Sequence, residues 1–300
     1  MPPQANWLPA APNFREACSG WRNYLERYQA LAREVDICIV PGTIVETTEN
    51  APPVSIPSST RKAKHDDVHE RETTTIPGLE NVAYFIDNKG SILARYVKVN
   101  LWGTSERPYL NSAGRSPHVA FDTPLGRVGL LICWDLGICI HNVVVSPQLT
   151  NWTAFPEAWR ELIADGAKII CLPTFWTLSA ANDAGLKWNV DAERVFVDTT
   201  VTARACENTC AVVMANAAGP PNKPSKLYQG DSCVTVPFLG PVAKISGSTE
   251  GMIIANLDMQ IVEDAEKDYQ IRADLARTDW HYDYRHTSDE FAVKQNKSKL

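Results

Sequence analysis

Short apolar runs alternate along the chain with amphipathic stretches, the pattern of a layered α/β or α+β fold. Residues 14–34 place Leu25, Tyr28, Leu31 and Ala32 on one face, which predicts a helix. Residues 36–46 follow as a strand whose core, from Ile37 to Val40, is apolar on both faces. The stretch 47–77 is rich in Thr, Ser, Pro and charge without periodicity, and reads as a long exposed loop insertion. Strands are expected at 81–86, 91–99 and 117–121, the first two joined by the turn Asp87-Asn88-Lys89-Gly90.

The second half continues the alternation. A buried strand over 126–133 ends in a cysteine, and an amphipathic helix over 154–165 is stopped by Gly166. Strands at 168–173 and 211–215 flank a long helix over 191–208. Two final strands, 232–236 and 251–257, precede a polar helix over 262–277. The charged tail 287–300 reads as flexible, which leaves 1–286 as a single domain.

Composition narrows the function classes. The 300 residues carry 29 Lys+Arg against 35 Asp+Glu, a net charge of −6, so neither nucleic acid nor an anionic membrane surface is expected as a partner. No apolar run reaches the roughly 18 residues of a membrane span, and the N-terminus lacks the form of a secretory signal. A cytoplasmic location is expected.

Eight cysteines stand at 18, 38, 133, 139, 171, 206, 210 and 233, mostly inside apolar runs, and read as buried free thiols. No CxxC pair occurs, and Cys133, Cys139 and His141 lack a second paired cluster, so no metal or other cofactor is expected. Cys133 differs from the rest. It closes a buried strand before Trp134-Asp135, where a side chain is held rigidly at a sheet edge, a common position for a nucleophile. A thiol needs a base or a nearby cation to become a thiolate, and Lys98, on the same strand face as Tyr96, is a candidate. A Cys–His pairing through His118 or His141 has little support, because the first sits in a turn-rich segment and the second in a suspect stretch treated below.

Order turns these single residues into a pattern. Arg95-Tyr96-Val97-Lys98, then Glu106-Arg107-Pro108, then Gly126-Arg127-Val128-Gly129-Leu130-Leu131-Ile132-Cys133-Trp134-Asp135-Leu136, resembles the nitrilase (carbon-nitrogen hydrolase) superfamily. So do Phe155-Pro156-Glu157 ahead of a helix and Arg204-Ala205-Cys206-Glu207-Asn208 ahead of the strand ending Ala215-Asn216. The resemblance runs from about Trp7 to Arg277 and is strongest toward fungal nitrilase-like proteins, in strings such as Pro173-Thr174-Phe175-Trp176-Thr177-Leu178. It implies a four-layer α-β-β-α sandwich that assembles as a homodimer or larger homo-oligomer. It also implies hydrolysis of a nitrile or small amide through a covalent thioimidate or thioester, with release of ammonia or an amine. Cys133 would be the nucleophile, and Lys98 the cation that stabilises thiolate and oxyanion with help from the Trp134 N–H. Glu106 would orient Lys98, and Trp176 would line the pocket. Arg204, Glu207 and Asn208 would hold their helix against the sheet.

The chain departs from the family pattern twice. The family's general-base glutamate belongs to a first βαβ unit that has no counterpart before Trp7, and Glu46 does not match it; the expectation is an N-terminally truncated chain. A missing base costs about 10² to 10⁴ in rate. Residues 137–153 stand where the family runs almost directly from Cys-Trp-Asp-Leu into Ala-Phe-Pro-Glu. These 17 residues, 51 nucleotides at three per codon, match a short fungal intron in size, and Gly-Ile-Cys and Leu-Thr-Asn can encode donor-like and branch-point strings. A translated intron is therefore expected. The absent base favours a second reading of this chain, a catalytically impaired nitrilase-like subunit with a binding or assembly role.

Overall fold

The computed structural model describes residues 18–48, 54–56, 74–76, 78–107, 109–114, 116–137, 156–178, 180, 183–220, 227–277 and 279. The tail 287–300, Cys139, His141 and all of 137–153 beyond Gly137 lie outside these residues, as does most of 47–77.

Helix α1 (Trp21–Val35) leads into β1 (Thr43–Thr48), β2 (Val54–Ile56), β3 (Thr74–Ile76), β4 (Gly78–Ile86) and β5 (Ile92–Val97). The short α2 (Gly103–Glu106) precedes β6 (Phe121–Thr123), β7 (Gly126–Leu130), a 3-10 turn (Cys133–Leu136) and α3 (Glu157–Ala164). Then come β8 (Ile169–Thr174), α4 (Asp183–Trp188), α5 (Ala192–Glu207), β9 (Ala211–Asn216), β10 (Cys233–Val236), β11 (Gly240–Lys244), α6 (Gln260–Tyr269) and α7 (Ile271–Leu275).

Two principal sheets result. One has the order β1-β4-β5, and the other has the order β11-β10-β9-β8-β7-β6 with β7, β8 and β9 parallel. Period-two alternation gives β4 two apolar faces. Val82, Tyr84 and Ile86 of β4 face Leu25 and Ala32 of α1. Ala83 and Phe85 face the other way, onto Val128 and Leu130 of β7, Ala211 of β9 and Val236 of β10. The far side of the large sheet is covered by Trp159, Leu162 and Ile163 of α3 and Val197, Val201 and Ala205 of α5. The stacking is α-β-β-α, as the resemblance implied. Gly129 lets α3 settle closely: a Cβ there would stand 2.8 Å from methyl carbons of both Leu162 and Ile170.

Several elements differ from the sequence expectations. Leu31, expected on the buried face of the first helix, is 42% exposed. The strand expected over 36–46 begins only at Thr43; before it, Ile39 forms a single bridge to Ile86. An αL residue at Asp36 and a positive-φ Gly42 interrupt the run, so apolar character there reflects packing at a connection, not a ladder. Within 47–77, read as loop, β2 and β3 pair antiparallel. The strand expected over 117–121 starts at Phe121. Residues 251–257 alternate like a strand yet lie in none, and Met252 and Ile254 are 84% and 82% exposed. The last helix is split by Gln270 at φ 55 into α6 and α7.

Candidate active site

Strand β7, beside the edge strand β6 of the large sheet, leads into the turn that carries the nucleophile candidate. Beyond β7, the Leu131 N–H still donates to the Cys171 carbonyl at 3.1 Å, and then the chain turns sharply at Cys133. Cys133 has φ 46, in the left-handed region, a conformation costing a non-glycine residue on the order of 1–3 kcal/mol. Asp135 holds the turn. Its Oδ2 accepts the Ile132 N–H at 2.8 Å, and its own N–H donates to the Ile132 carbonyl at 3.0 Å. Trp159, fully buried on α3, donates its indole N–H to the Asp135 carbonyl at 2.9 Å. Outer helix and Cys133 turn are thereby locked together.

Lys98 comes from the other sheet. It follows β5, where its N–H donates to the Asn81 carbonyl at 2.9 Å, and its side chain points the same way as that of Tyr96, two residues earlier. Its ammonium is fully buried and meets both oxygens of Glu106, at 2.8 and 2.6 Å. Glu106 Oε2 also accepts the Trp102 N–H at 2.7 Å, across the short helix α2, so the carboxylate is fixed by its own segment. The structure thus brings Cys133, Lys98 and Glu106 into one electrostatic cluster.

The electrostatics set the resting state. Burial pushes the Cys133 thiol up, against the pull of the Lys98 charge and of the Phe175 backbone N–H, and the net direction is up. Burial works to lower Lys98, but the charge that Cys133 carries once it ionises and the charge of Glu106 overcome it, and the net direction is up. Both groups are thus shifted up, the thiol by burial and the ammonium by the negative charge around it. Besides Glu106, Asp135 contributes negative charge at Cys133. Both carboxylates are engaged, Glu106 by Lys98 and Trp102, and Asp135 by Ile132, Tyr96 and Asn100.

Aromatic rings wall the site. The Trp134 ring stands 5.4 Å from Trp176, 6.2 Å from Trp102 and 6.5 Å from Phe196. Trp176 is 4% exposed and donates its indole N–H to Glu193 Oε2 at 2.5 Å. Burial raises the Glu193 carboxyl, against the lowering effect of that bond.

The remaining candidates take other roles. Both ring nitrogens of His118 are engaged, Nδ1 by Glu161 and Nε2 by Tyr96, so His118 is not paired with Cys133. Glu46 lies on β1, bonded to the Tyr84 hydroxyl and, at 2.7 Å, to Arg95, apart from the nucleophile turn. Arg204 pairs with Glu207, and Asn208 donates to the Arg204 carbonyl at 2.9 Å, which ties off the end of α5. Sequence reasoning gave no role to Asp135, Asn100 or Phe175. The available signal was position: Asp135 falls two residues after a cysteine that ends a strand, where a carboxylate can cap the turn it belongs to.

Comparison with known proteins places this geometry in context. The family model described as carbon-nitrogen hydrolase matches residues 4–139 and 151–267. Among curated relatives, the probable nitrilase C965.09 of Schizosaccharomyces pombe is 27% identical over 67% of this chain and 61% of its own. The deaminated glutathione amidase of Bos taurus is 26% identical over 82% of this chain and 61% of its own. A "Hydrolase in pqqF 5'region" from Pseudomonas protegens is 29% identical over 61% of this chain and 52% of its own. The chain thus spans between about half and three fifths of the length of these relatives. Among solved structures, a carbon-nitrogen hydrolase from Helicobacter pylori G27 superposes with a TM-score of 0.64 at 19% identity, over 90% of this chain and 78% of that one. The Caenorhabditis elegans NitFhit protein gives 0.57 at 26% identity, over 87% and 52%. A mutant amidase from Nesterenkonia sp. AN1, with the acetamide moiety of fluoroacetamide added covalently at its active-site cysteine, gives 0.52 at 20%, over 84% and 73%.

Proposed function

The chain belongs to the carbon-nitrogen hydrolase family, and from that premise we propose that it hydrolyses a small amide or nitrile through a covalent intermediate on Cys133. One observation carries the reading: Cys133, strained at φ 46 in the turn that follows β7, faces the charge of a buried Lys98 that Glu106 holds by both oxygens. Nucleophiles on strained turns and buried ion pairs are both costly, and their coincidence fits a site built for chemistry.

For an amide, Cys133 Sγ adds to the carbonyl carbon, and Lys98 stabilises the developing oxyanion. The C–N bond breaks as nitrogen takes up the thiol's proton, leaving a thioester and releasing ammonia or an amine. Water then adds to the thioester, and cleavage of the C–S bond returns the thiol. A nitrile instead takes up the thiol across its triple bond, the proton going to nitrogen, to give a thioimidate; one water adds and expels ammonia to leave the thioester, which a second water hydrolyses. Glu106 keeps Lys98 charged and in place. The names of two relatives, a probable nitrilase and an amidase, support this range of substrates.

A second reading, an impaired family member that acts as a binding or assembly subunit, is favoured by the raised Cys133 thiol and by the engagement of both carboxylates whose charge reaches it. Self-assembly as a homo-oligomer and a cytoplasmic location belong to the proposal. So does the reading of 137–153 as a translated intron, supported by the break in the family match between 139 and 151.

Ammonia release from a panel of aliphatic amides and nitriles tests the proposal, with this chain, its Cys133→Ala variant and a form lacking residues 137–153 compared. Release by either Cys133-bearing form and none by the alanine variant supports it. No release by any form, with Cys133 refractory to alkylation, overturns it.

A further inference from the structure

A chain of hydrogen bonds runs from the half-exposed surface of α3 to the nucleophile turn. Glu161 Oε2 lies 3.0 Å from His118 Nδ1, and His118 Nε2 lies 3.1 Å from the Tyr96 hydroxyl oxygen. That oxygen lies 2.8 Å from Asp135 Oδ2, which in turn accepts the Ile132 N–H that fixes the backbone ahead of Cys133. His118 is buried, while the Glu161 side chain is 47% exposed and gives the chain a contact with solvent.

Counting protons along the chain fixes its state. Both ends are carboxylates, which only accept when ionised. Tyr96 has one proton, and burial together with the Asp135 charge holds the phenol far above its ordinary range, so it stays neutral. That single proton faces Asp135 at 2.8 Å, and it leaves the Tyr96 oxygen as an acceptor toward both the Val99 N–H and His118. Nε2 of His118 must then donate. Nδ1 must donate as well, because it faces a carboxylate oxygen. All four members are satisfied together only when the imidazole carries both protons. With one proton, the ring loses either its bond to Glu161 or its bond to Tyr96, and in the second case the tyrosine proton can turn away from Asp135.

We propose that His118, as the imidazolium, is a positioning residue that holds the Cys133 turn through Tyr96 and Asp135, and that loss of its second proton loosens that turn and lowers the reactivity of Cys133. The groups facing it are Tyr96 from β5, Glu161 from α3 and, through Tyr96, Asp135 of the 3-10 turn. Asp165, at the end of α3, accepts the N–H of Ala120 two residues along. The inference rests on Cys133 being the site's nucleophile, and its test is separable from hydrolysis.

The rate of Cys133 alkylation by iodoacetamide, read by peptide mass between about pH 5.5 and 8.5, is compared in the wild type, His118→Gln and Tyr96→Phe. The wild type is expected to react roughly tenfold faster than His118→Gln at the acid end, the worth of one charge-assisted hydrogen bond, with the ratio falling toward one as pH rises. Tyr96→Phe is slow at every pH. A ratio independent of pH in a folded His118→Gln variant overturns the inference, since a packing role alone has no reason to follow pH. If His118→Gln does not fold, Glu161→Gln on the half-exposed helix face carries the same comparison with the same outcomes. A converging ratio without ammonia release from any substrate would sink only the hydrolase reading; release with a flat ratio would sink only this one.

Discussion

Lys98 and Glu106 form a buried ion pair in which one ammonium meets both carboxylate oxygens, at 2.8 and 2.6 Å, while the same carboxylate accepts the Trp102 N–H. The lysine follows a strand of the small sheet and the glutamate ends a one-turn helix eight residues on, so the pair ties that segment to the sheet. Pairs of this kind cost most when half removed.

Replacing Lys98 with Met leaves the Glu106 carboxylate buried without its cation. A loss of about 3–5 kcal/mol in unfolding free energy is expected, and Lys98→Met/Glu106→Leu together should recover much of it. Urea denaturation of the two variants measures this. A single variant as stable as the wild type would contradict the burial of the pair.

The same substitution changes Cys133. Burial holds its thiol up and Lys98 opposes that, so without the lysine the thiol is expected to ionise at still higher pH. Alkylation of Cys133 in the wild type should accelerate as pH rises through the alkaline range. In Lys98→Met the profile should move to higher pH, with slower reaction at neutrality. Superimposable profiles would mean that the cation does not act on the thiol.

A second cysteine gives a stability prediction. Cys210 is fully buried, and burial pushes its thiol up to about 12. Its folded value lies above the unfolded one, so the folded state retains a proton that the unfolded chain gives up as pH rises. This contribution is complete below the ordinary thiol range and is lost between that range and about 12. Unfolding free energy should fall there by up to about 1.4 kcal/mol per pH unit from this group. Cys210→Ala should flatten that slope, which denaturation at a series of alkaline pH values would reveal.

Trp159 links α3 to the Cys133 turn through its indole N–H and the Asp135 carbonyl. Trp159→Phe keeps a ring but leaves that carbonyl without its donor, at an expected cost of about 1–3 kcal/mol. Cys133 alkylation should slow as well, because the turn loses its anchor. An unchanged alkylation rate in a destabilised variant would separate the two roles.

Much of this was legible in the chain. The buried strands over 168–173 and 211–215 and the helix over 191–208 emerged from the apolar pattern, because their apolar positions serve packing; the strand expected over 126–133 is present too but stops at Leu130, and Cys133 opens the 3-10 turn beyond it. The failures share a cause. Ile37 to Val40 and residues 251–257 carry strand-like patterns, but a ladder also needs a neighbour in register, which pattern alone does not specify. The Cys133, Lys98 and Glu106 candidates came from motif order. Asp135, Tyr96, Asn100 and His118 were less visible as a network because their partnership spans 39 residues in sequence and depends on two sheets meeting. Phe175 acts through its backbone N–H, which any residue type would supply.

The proposed chemistry stands or falls on a covalent bond between Cys133 and the substrate carbon. Intact-protein mass after brief exposure to a panel of small amides and nitriles reads that bond without an intervening assay. A mass increase matching one acyl or imidate group, mapped to Cys133 and absent from Cys133→Ala, is the predicted result. Ammonia release that persists in Cys133→Ala, or an adduct that maps to another cysteine, would contradict it.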